Sequence, residues 1–286
     1  MLPRSTAVLL LLLAAGCTGA GRVHGAAPVS QGKLFIIGGG SRPLAMVERM
    51  IEEAGLRDDG YVAILPMSSS EPDSAVIWSG EQFAELGVEV TGFNFQAGAP
   101  PPPTWLDSLR QARLIYISGG DQARFMDVVS GTAIEDAIRE AYRSGSLIGG
   151  TSAGAAVMSA QMLTGDQRKH PEYTSTYEVL EADNIDLAPG LGLLTGAIID
   201  QHFVRRSRYN RLLTAVTEFP EIVGVGIDES TAILVEGGRA EVVGEAQVVV
   251  VQNPGRSANE QDGKLGAHGL RVDVYLPGET FALDGR

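Results

Sequence analysis

The chain has 286 residues, enough for one large domain with a real core. It is 44% apolar and 20% charged, a globular composition in which no run beyond the first residues is long enough to span a bilayer. A formal net charge of -13 excludes a nucleic-acid surface, which needs clustered Lys and Arg, and tolerates a cationic substrate.

Arg4 gives the N-terminus a positive start, and Ala7 to Ala15 is an uninterrupted apolar run. Residues 1–16 therefore read as a secretory signal peptide. The run ends in Leu13-Ala14-Ala15-Gly16-Cys17, which looks like a bacterial lipobox. Cys17 is the only cysteine, so it has no partner for an internal disulfide and is the candidate lipidation site. The expected address is across the inner membrane, lipid-anchored in the periplasm or at the outer membrane with the anchor as the only membrane contact, and otherwise periplasmic or extracellular. Residues 17–30 are small and polar and read as a tether. Residues 31–286 read as a single α/β domain.

Lys33 to Ile37 is an apolar strand that ends in Gly38-Gly39-Gly40-Ser41. A helix follows near Leu44 to Ala54, a strand at Tyr61 to Leu65, a helix at Ala75 to Leu86 and a strand at Val88 to Phe93. Gln96 to Pro103 holds four consecutive prolines and is a loop. Leu114 to Ile117 is a strand running into Ser118-Gly119-Gly120-Asp121-Gln122. Thr132 and Glu135 form a capping box for a helix with Ile134, Ala137, Ile138, Ala141 and Tyr142 on one face, closed by Gly145. Leu147 to Gly150 is a short strand, followed by Thr151-Ser152-Ala153-Gly154 and a helix expected through Met162.

Apolar strands that alternate with helices predict a mostly parallel sheet with helices on both faces. Ligands of such sheets bind beyond the carboxyl ends of the strands, where the glycine-rich turns lie. After Asp228 hairpin signals appear, with Glu236-Gly237-Gly238-Arg239 between Thr231–Val235 and Ala240–Val243. Gln247 to Val251 and Leu270 to Tyr275 read as further C-terminal strands at one edge of the same domain. Pro254 to Gly266 reads as a polar, mobile loop. No internal repeat is present.

Gly150-Thr151-Ser152-Ala153-Gly154 matches G-x-S-x-G between a strand and a helix. A sharp turn there brings backbone close, so glycines flank the serine and its hydroxyl is held over the sheet edge. The NH of Ala153 and one from Gly119 or Gly120 are the candidate oxyanion donors. The bland alternative is a serine that only caps a helix. A serine nucleophile needs a base. Of the four histidines, His24 lies in the tether and His170 and His268 in polar loops. His202 ends the apolar run Ile198-Ile199-Asp200-Gln201-His202 and is the best candidate. Asp200, Asp228 or Glu229 could orient it. With Glu229 the order is Ser, His, Glu, which argues against the Ser, acid, His order of lipases and esterases.

Together, Gly119-Gly120-Asp121-Gln122, Gly150-Thr151-Ser152-Ala153-Gly154, Asp200-Gln201-His202-Phe203 with Arg206, Arg208 and Arg211, and Gly226-Ile227-Asp228-Glu229-Ser230-Thr231 resemble the peptidase family of cyanophycinases and aspartyl dipeptidases. The resemblance covers roughly residues 32 to 280. It implies a class I glutamine amidotransferase-like fold with serine in place of the elbow cysteine. By position it implies Ser152 as nucleophile, His202 as base and Glu229 as orienting acid; Gly120 and Ala153 are the oxyanion donors expected beside them from the turn chemistry. Gln122, Asp200, Gln201, Arg206, Arg208 and Arg211 would line the substrate pocket. The implied reaction is hydrolysis of cyanophycin, multi-L-arginyl-poly-L-aspartate, to β-aspartyl-arginine dipeptides. No metal and no organic cofactor are implied, and the family is often dimeric, so a homodimer is one expected assembly.

Chemistry supports parts of this. Arginine forks suit carboxylates, and a buried Asp200 suits a guanidinium. A solvated helix face is the bland account of the three arginines. Three rivals remain. A dinucleotide site would need a glycine where Pro43 stands after Gly38-Gly39-Gly40. A non-catalytic binding lipoprotein would not need Ser152, His202 and Glu229. A related aspartyl or β-aspartyl exopeptidase of different specificity is the serious rival.

Overall fold

The computed structural model describes residues 32–283; the expected signal peptide, the expected tether and Cys17 lie outside the described residues. The first half follows the apolar runs: β1 (Lys33–Ile37), α1 (Leu44–Glu53), β2 (Tyr61–Leu65), α2 (Pro72–Glu85), β3 (Glu89–Gly92), α3 (Pro103–Gln111), β4 (Leu114–Ile117), α4 (Gln122–Val129), α5 (Ala133–Arg143) and β5 (Leu147–Thr151). Prolines open α2 and α3, where a missing amide costs nothing. Thr132 caps α5 by accepting from the Ile134 amide, while Glu135 reaches back to Gly131, one residue before the cap.

Next come α6 (Ala153–Ala156), β6 (Gln161–Gln167), β7 (Ile185–Pro189), β8 (Ala197–Gln201), α7 (Tyr209–Glu218), β9 (Val223–Ile227), β10 (Thr231–Glu236) and β11 (Arg239–Gly244). The chain ends with β12 (Val248–Gln252), β13 (Asn259–Gln261), β14 (Lys264–Gly266), β15 (Arg271–Tyr275) and β16 (Thr280–Ala282).

The main sheet has the order β16-β11-β10-β1-β5-β4-β2-β3. From β1 to β3 its pairs are parallel, and β10, β11 and β16 extend it as antiparallel strands. Alternate residues of its strands enter different cores. Leu34, Ile36, Ile115 and Ile117 join one, with α3 and α5; Phe35, Ile37, Leu114 and Tyr116 join the other, with α1 and α2. A sheet buried on both faces is what continuous apolar strands require.

The expected C-terminal strands β12 and β15 form a second sheet, β15-β12-β9-β8, whose Val225, Ile227, Val248 and Val250 pack into the same core as Leu34 and Ile36. Two expectations need correction. Residues 254–266 hold a small hairpin, β13 with β14, rather than a bare loop. The helix after Ser152 stops at Ala156 instead of reaching Met162. The carbonyls that would continue it, those of Val157, Met158 and Ser159, accept from the amides of Leu191, Leu193, Leu194 and Gly192. Tertiary hydrogen bonds override an alanine-rich helical sequence there.

The parallel registers set the site. Ile37 lies beside Thr151 and Gln201 beside Ile227, so β1, β5, β8 and β9 all end in one region. The Ser152 amide donates to Ile37 and the His202 amide to Gly38, which ties these strand ends together.

Candidate active site

Ser152 is the first residue after β5 and sits at φ 54°, ψ -113°, a strained backbone for serine. The turn closes so tightly that a Cβ on Gly154 would stand 2.2 Å from the Ile117 carbonyl oxygen. The hydroxyl makes no cap to α6. It lies 2.8 Å from His202 Nε2 instead. His202 follows β8 directly and also has positive φ, 50°. Its Nδ1 lies 2.8 Å from Glu229 Oε1. A carboxylate only accepts, so Nδ1 carries the proton and Nε2 faces the serine as an acceptor.

The glycine turn after β1 serves this line. A Cβ on Gly39 would lie 2.2–2.7 Å from the His202 ring atoms, so only glycine lets the imidazole lie against this backbone. Asp228 is turned elsewhere: its Oδ1 accepts from the Arg205 amide at 2.9 Å. Between the two neighbouring acids the geometry selects Glu229 as the His202 partner.

Burial holds the His202 imidazolium below its ordinary range, against the opposing hydrogen bond that it donates to Glu229, and the cations of Arg206 and Arg208 push the same way as burial. The ring is therefore neutral at pH 7 and can accept a proton. Ala153 follows the serine in the chain and Gly120 lines the same cleft; among the described residues neither amide is spent on a backbone carbonyl. The arrangement can generate an alkoxide and stabilise the oxyanion formed by its attack on a carbonyl.

The cleft encloses about 270 Å³ and is lined by Gln122, Gln201, Arg206, Arg208 and Arg211 beside Ser152. Gln122 is not free: its Nε2 donates to the carbonyls of Leu163 at 2.8 Å and Thr164 at 2.5 Å, clamping β6. Gln201 is buried and its Oε1 has no partner among the described residues. Arg206 makes no ion pair or side-chain hydrogen bond among the described residues, so a bare cation faces the cleft. Arg208 is held by the Gln201 carbonyl at 2.7 Å, the Ser175 carbonyl and the Tyr173 hydroxyl. Burial, with the Arg211 cation beside it, pushes its guanidinium down to about 10, still charged at neutral pH.

Asp200 departs from expectation. It is fully buried and does not line the cleft. Both its oxygens accept from Arg211, through Nε at 3.0 Å and through Nη2, and Arg208 Nη1 lies 3.6 Å away. Fully buried behind these two guanidinium groups, it presents neither oxygen to the cleft. Its work is to hold Arg211 in place.

The sequence reading missed one whole wall. Thr164, Gly165 and Asp166 of β6 and Tyr173 of the following loop line the cleft. The expected helix through Met162 hid them, and the polar run from Gln167 carries no periodicity to replace it.

A family model, peptidase family S51, matches residues 34–243. The chain is 34% identical to the cyanophycinase of Trichormus variabilis over 239 residues, 78% of this chain and 75% of that protein. It is 32% identical to the cyanophycinase of Geminocystis herdmanii over 235 residues, 78% of this chain and 82% of that protein. Among solved structures, a peptidase from an acI-B1 actinobacterium superposes with a TM-score of 0.64, covering 89% of this chain and 98% of that one. At 21% identity, this last likeness speaks for the fold alone. The family match and the cyanophycinase relatives coincide with the elbow and the strand-end geometry, and the chain belongs to peptidase family S51.

Proposed function

We propose that this peptidase is a serine exopeptidase that releases β-aspartyl-arginine dipeptides from cyanophycin. The observation that carries the serine mechanism is the unbroken line from Ser152 Oγ to His202 Nε2 and from His202 Nδ1 to Glu229 Oε1, both at 2.8 Å. Ser152 gives its proton to His202 Nε2 as Oγ attacks the scissile carbonyl carbon. The carbonyl oxygen becomes an oxyanion, met by the amides of Ala153 and Gly120. Collapse breaks the C–N bond, and the imidazolium protonates the leaving amine. Water then enters, His202 takes its proton, and the acyl–serine ester is cleaved to free acid and Ser152. Glu229 keeps the imidazole in the required tautomer and stabilises the imidazolium.

Support for the polymer comes from the cyanophycinase relatives and from the cleft chemistry. Arg206 suits the terminal carboxylate that an exopeptidase must recognise. Incubating pure protein with insoluble cyanophycin, and identifying soluble products by mass spectrometry, tests the reading. β-Aspartyl-arginine as the product, absent with Ser152→Ala, is the expected result. Cleavage of bare aspartyl peptides with the polymer untouched would move the specificity elsewhere in the family.

The N-terminal residues motivate a proposed address as well. Residues 1–16 are a signal peptide and Cys17 is the lipidated first residue of the mature protein. Mass spectrometry of the membrane fraction should find diacylglycerol on Cys17; a mature form beginning at another residue sinks this.

A further inference from the structure

The carboxylates in and around the cleft are nearly all committed. Asp121 Oδ1 caps α4, accepting from the amides of Ala123 and Arg124 at 2.8 and 3.1 Å. Asp186 accepts from Thr164 Oγ1 at 2.7 Å and from Arg168 Nε at 3.3 Å. Asp200 is sealed against Arg211, and Glu229 is bound to His202. Asp166 differs. It is exposed, lines the cleft, and its carboxylate has no hydrogen-bond or ion-pair partner among the described residues.

Its backbone is nonetheless fixed. The Asp166 amide donates to Thr164 Oγ1 at 3.2 Å, and its carbonyl accepts from the buried Tyr177 hydroxyl at 2.8 Å. The residue stands where the β6–β7 register shifts between Leu163 and Gln167, an irregularity that re-aims side chains. Arg206 lines the same cleft, is likewise uncommitted, and does not pair with Asp166. One free anion and one free cation in one cleft match a substrate end that carries both a carboxylate and a guanidinium.

We propose that Asp166 is the specificity residue that receives the guanidinium of the substrate's arginyl side chain. This rests on the reading of the cleft as the site of an arginyl-aspartate peptidase. It replaces Asp200, which cannot perform that task. A carboxylate takes a guanidinium through a charge-assisted fork that a neutral side chain cannot supply. Because Asp166 is exposed, the expected contribution is modest, about two- to fivefold in affinity.

The test uses the Ser152→Ala protein, so that ligand is bound and not cleaved. Binding of β-aspartyl-arginine and of the neutral isostere β-aspartyl-citrulline is measured by calorimetry, with and without Asp166→Asn. The expected result is about two- to fivefold weaker binding of the arginine ligand and little change for the citrulline ligand, with Asp166→Glu restoring part of the preference. Equal weakening of both ligands, no change in either, or no arginine preference before substitution overturns the role of Asp166. The polymer assay separates this from the wider reading. If cyanophycin is cleaved but the arginine preference survives Asp166→Asn, only the Asp166 role falls. If Asp166→Asn removes the preference but the polymer is never cleaved, only the substrate reading falls.

Discussion

Ser152 and His202 each follow the last residue of a buried parallel strand, whereas Asp166 and Tyr173 stand on an irregular antiparallel hairpin and the loop that leaves it. The strand ends are held from several sides. Backbone bonds run from Ser152 to Ile37 and from His202 to Gly38, and glycine lets the imidazole press on main chain. The hairpin wall keeps its own backbone ladder to β7, broken between Leu163 and Gln167, and side chains tie it to the rest of the cleft, through Gln122 to the Leu163 and Thr164 carbonyls and Arg208 to the Ser175 carbonyl. Regular strand ends place the proposed nucleophile and base, and the broken ladder carries the side chains proposed for recognition.

The sharpest way to break the strand-end half is Ser152→Ala. It removes the nucleophile without adding volume, and the activity should fall by about 10⁴-fold or more. Circular dichroism and the melting temperature should be nearly unchanged. Retained turnover on an aspartyl-peptide substrate would end the serine mechanism.

Asp200→Asn tests where support ends and recognition begins. It leaves Arg211, itself 2% exposed, without its anion. Losing one member of a buried pair costs about 3–5 kcal/mol, a Tm fall on the order of 10 °C for a domain of this size. A stable variant with weakened arginine binding would return Asp200 to the substrate. Gly39→Ala comes next. Its methyl would collide with the His202 ring, and a misplacement of about 1 Å costs roughly 10²-fold in rate. Gly98 also has positive φ, but nothing lies within 4 Å of a Cβ there, so Gly98→Ala is the control for backbone strain. Equal activity losses in the two would deny Gly39 its part in seating the imidazole.

The same contrast decides what was legible in the sequence. Strands such as Leu114 to Ile117 are apolar throughout because both faces are buried, and the glycines around Ser152 have a local cause. Both signals are one-dimensional. His202 was separable from the other histidines by its strand end; the residues alone left Asp200, Asp228 and Glu229 open as its acid, the family resemblance favoured Glu229, and the contacts of Glu229 and Asp228 are visible only in three dimensions. The second sheet was hidden because neither the valine run of β12 nor the alternation of β15 says which strand they meet. The helix overshoot after Ala156 arose because its carbonyls are captured by residues 190–194, a contact no local pattern encodes. The committed state of Asp200 and the uncommitted state of Asp166 are likewise tertiary facts.

The smallest predicted effect links the two halves electrostatically. The imidazolium of His202 is disfavoured first by burial and then by the cations of Arg206 and Arg208, while Glu229 favours it. A depressed imidazole means that the unfolded chain binds the proton more readily than the fold does. That part of stability is complete above the ordinary histidine value and is lost as pH falls below it. For activity, the neutral ring is the working base, so the acid limb of kcat/KM should lie below the ordinary value of 6.5. Arg206→Gln removes one of the cations without touching the hydrogen bond to Glu229. The imidazolium then becomes less costly, and the His202 midpoint must rise towards its ordinary value. NMR titration of the imidazole in the ligand-free protein reads this directly, independent of any loss of substrate binding. High salt should shrink the difference between the two proteins, because Arg206 acts from a partly exposed position. A midpoint that falls, or does not move, would mean that Arg206 stands too far from the ring to influence the base, and that recognition and catalysis are electrostatically separate in this cleft.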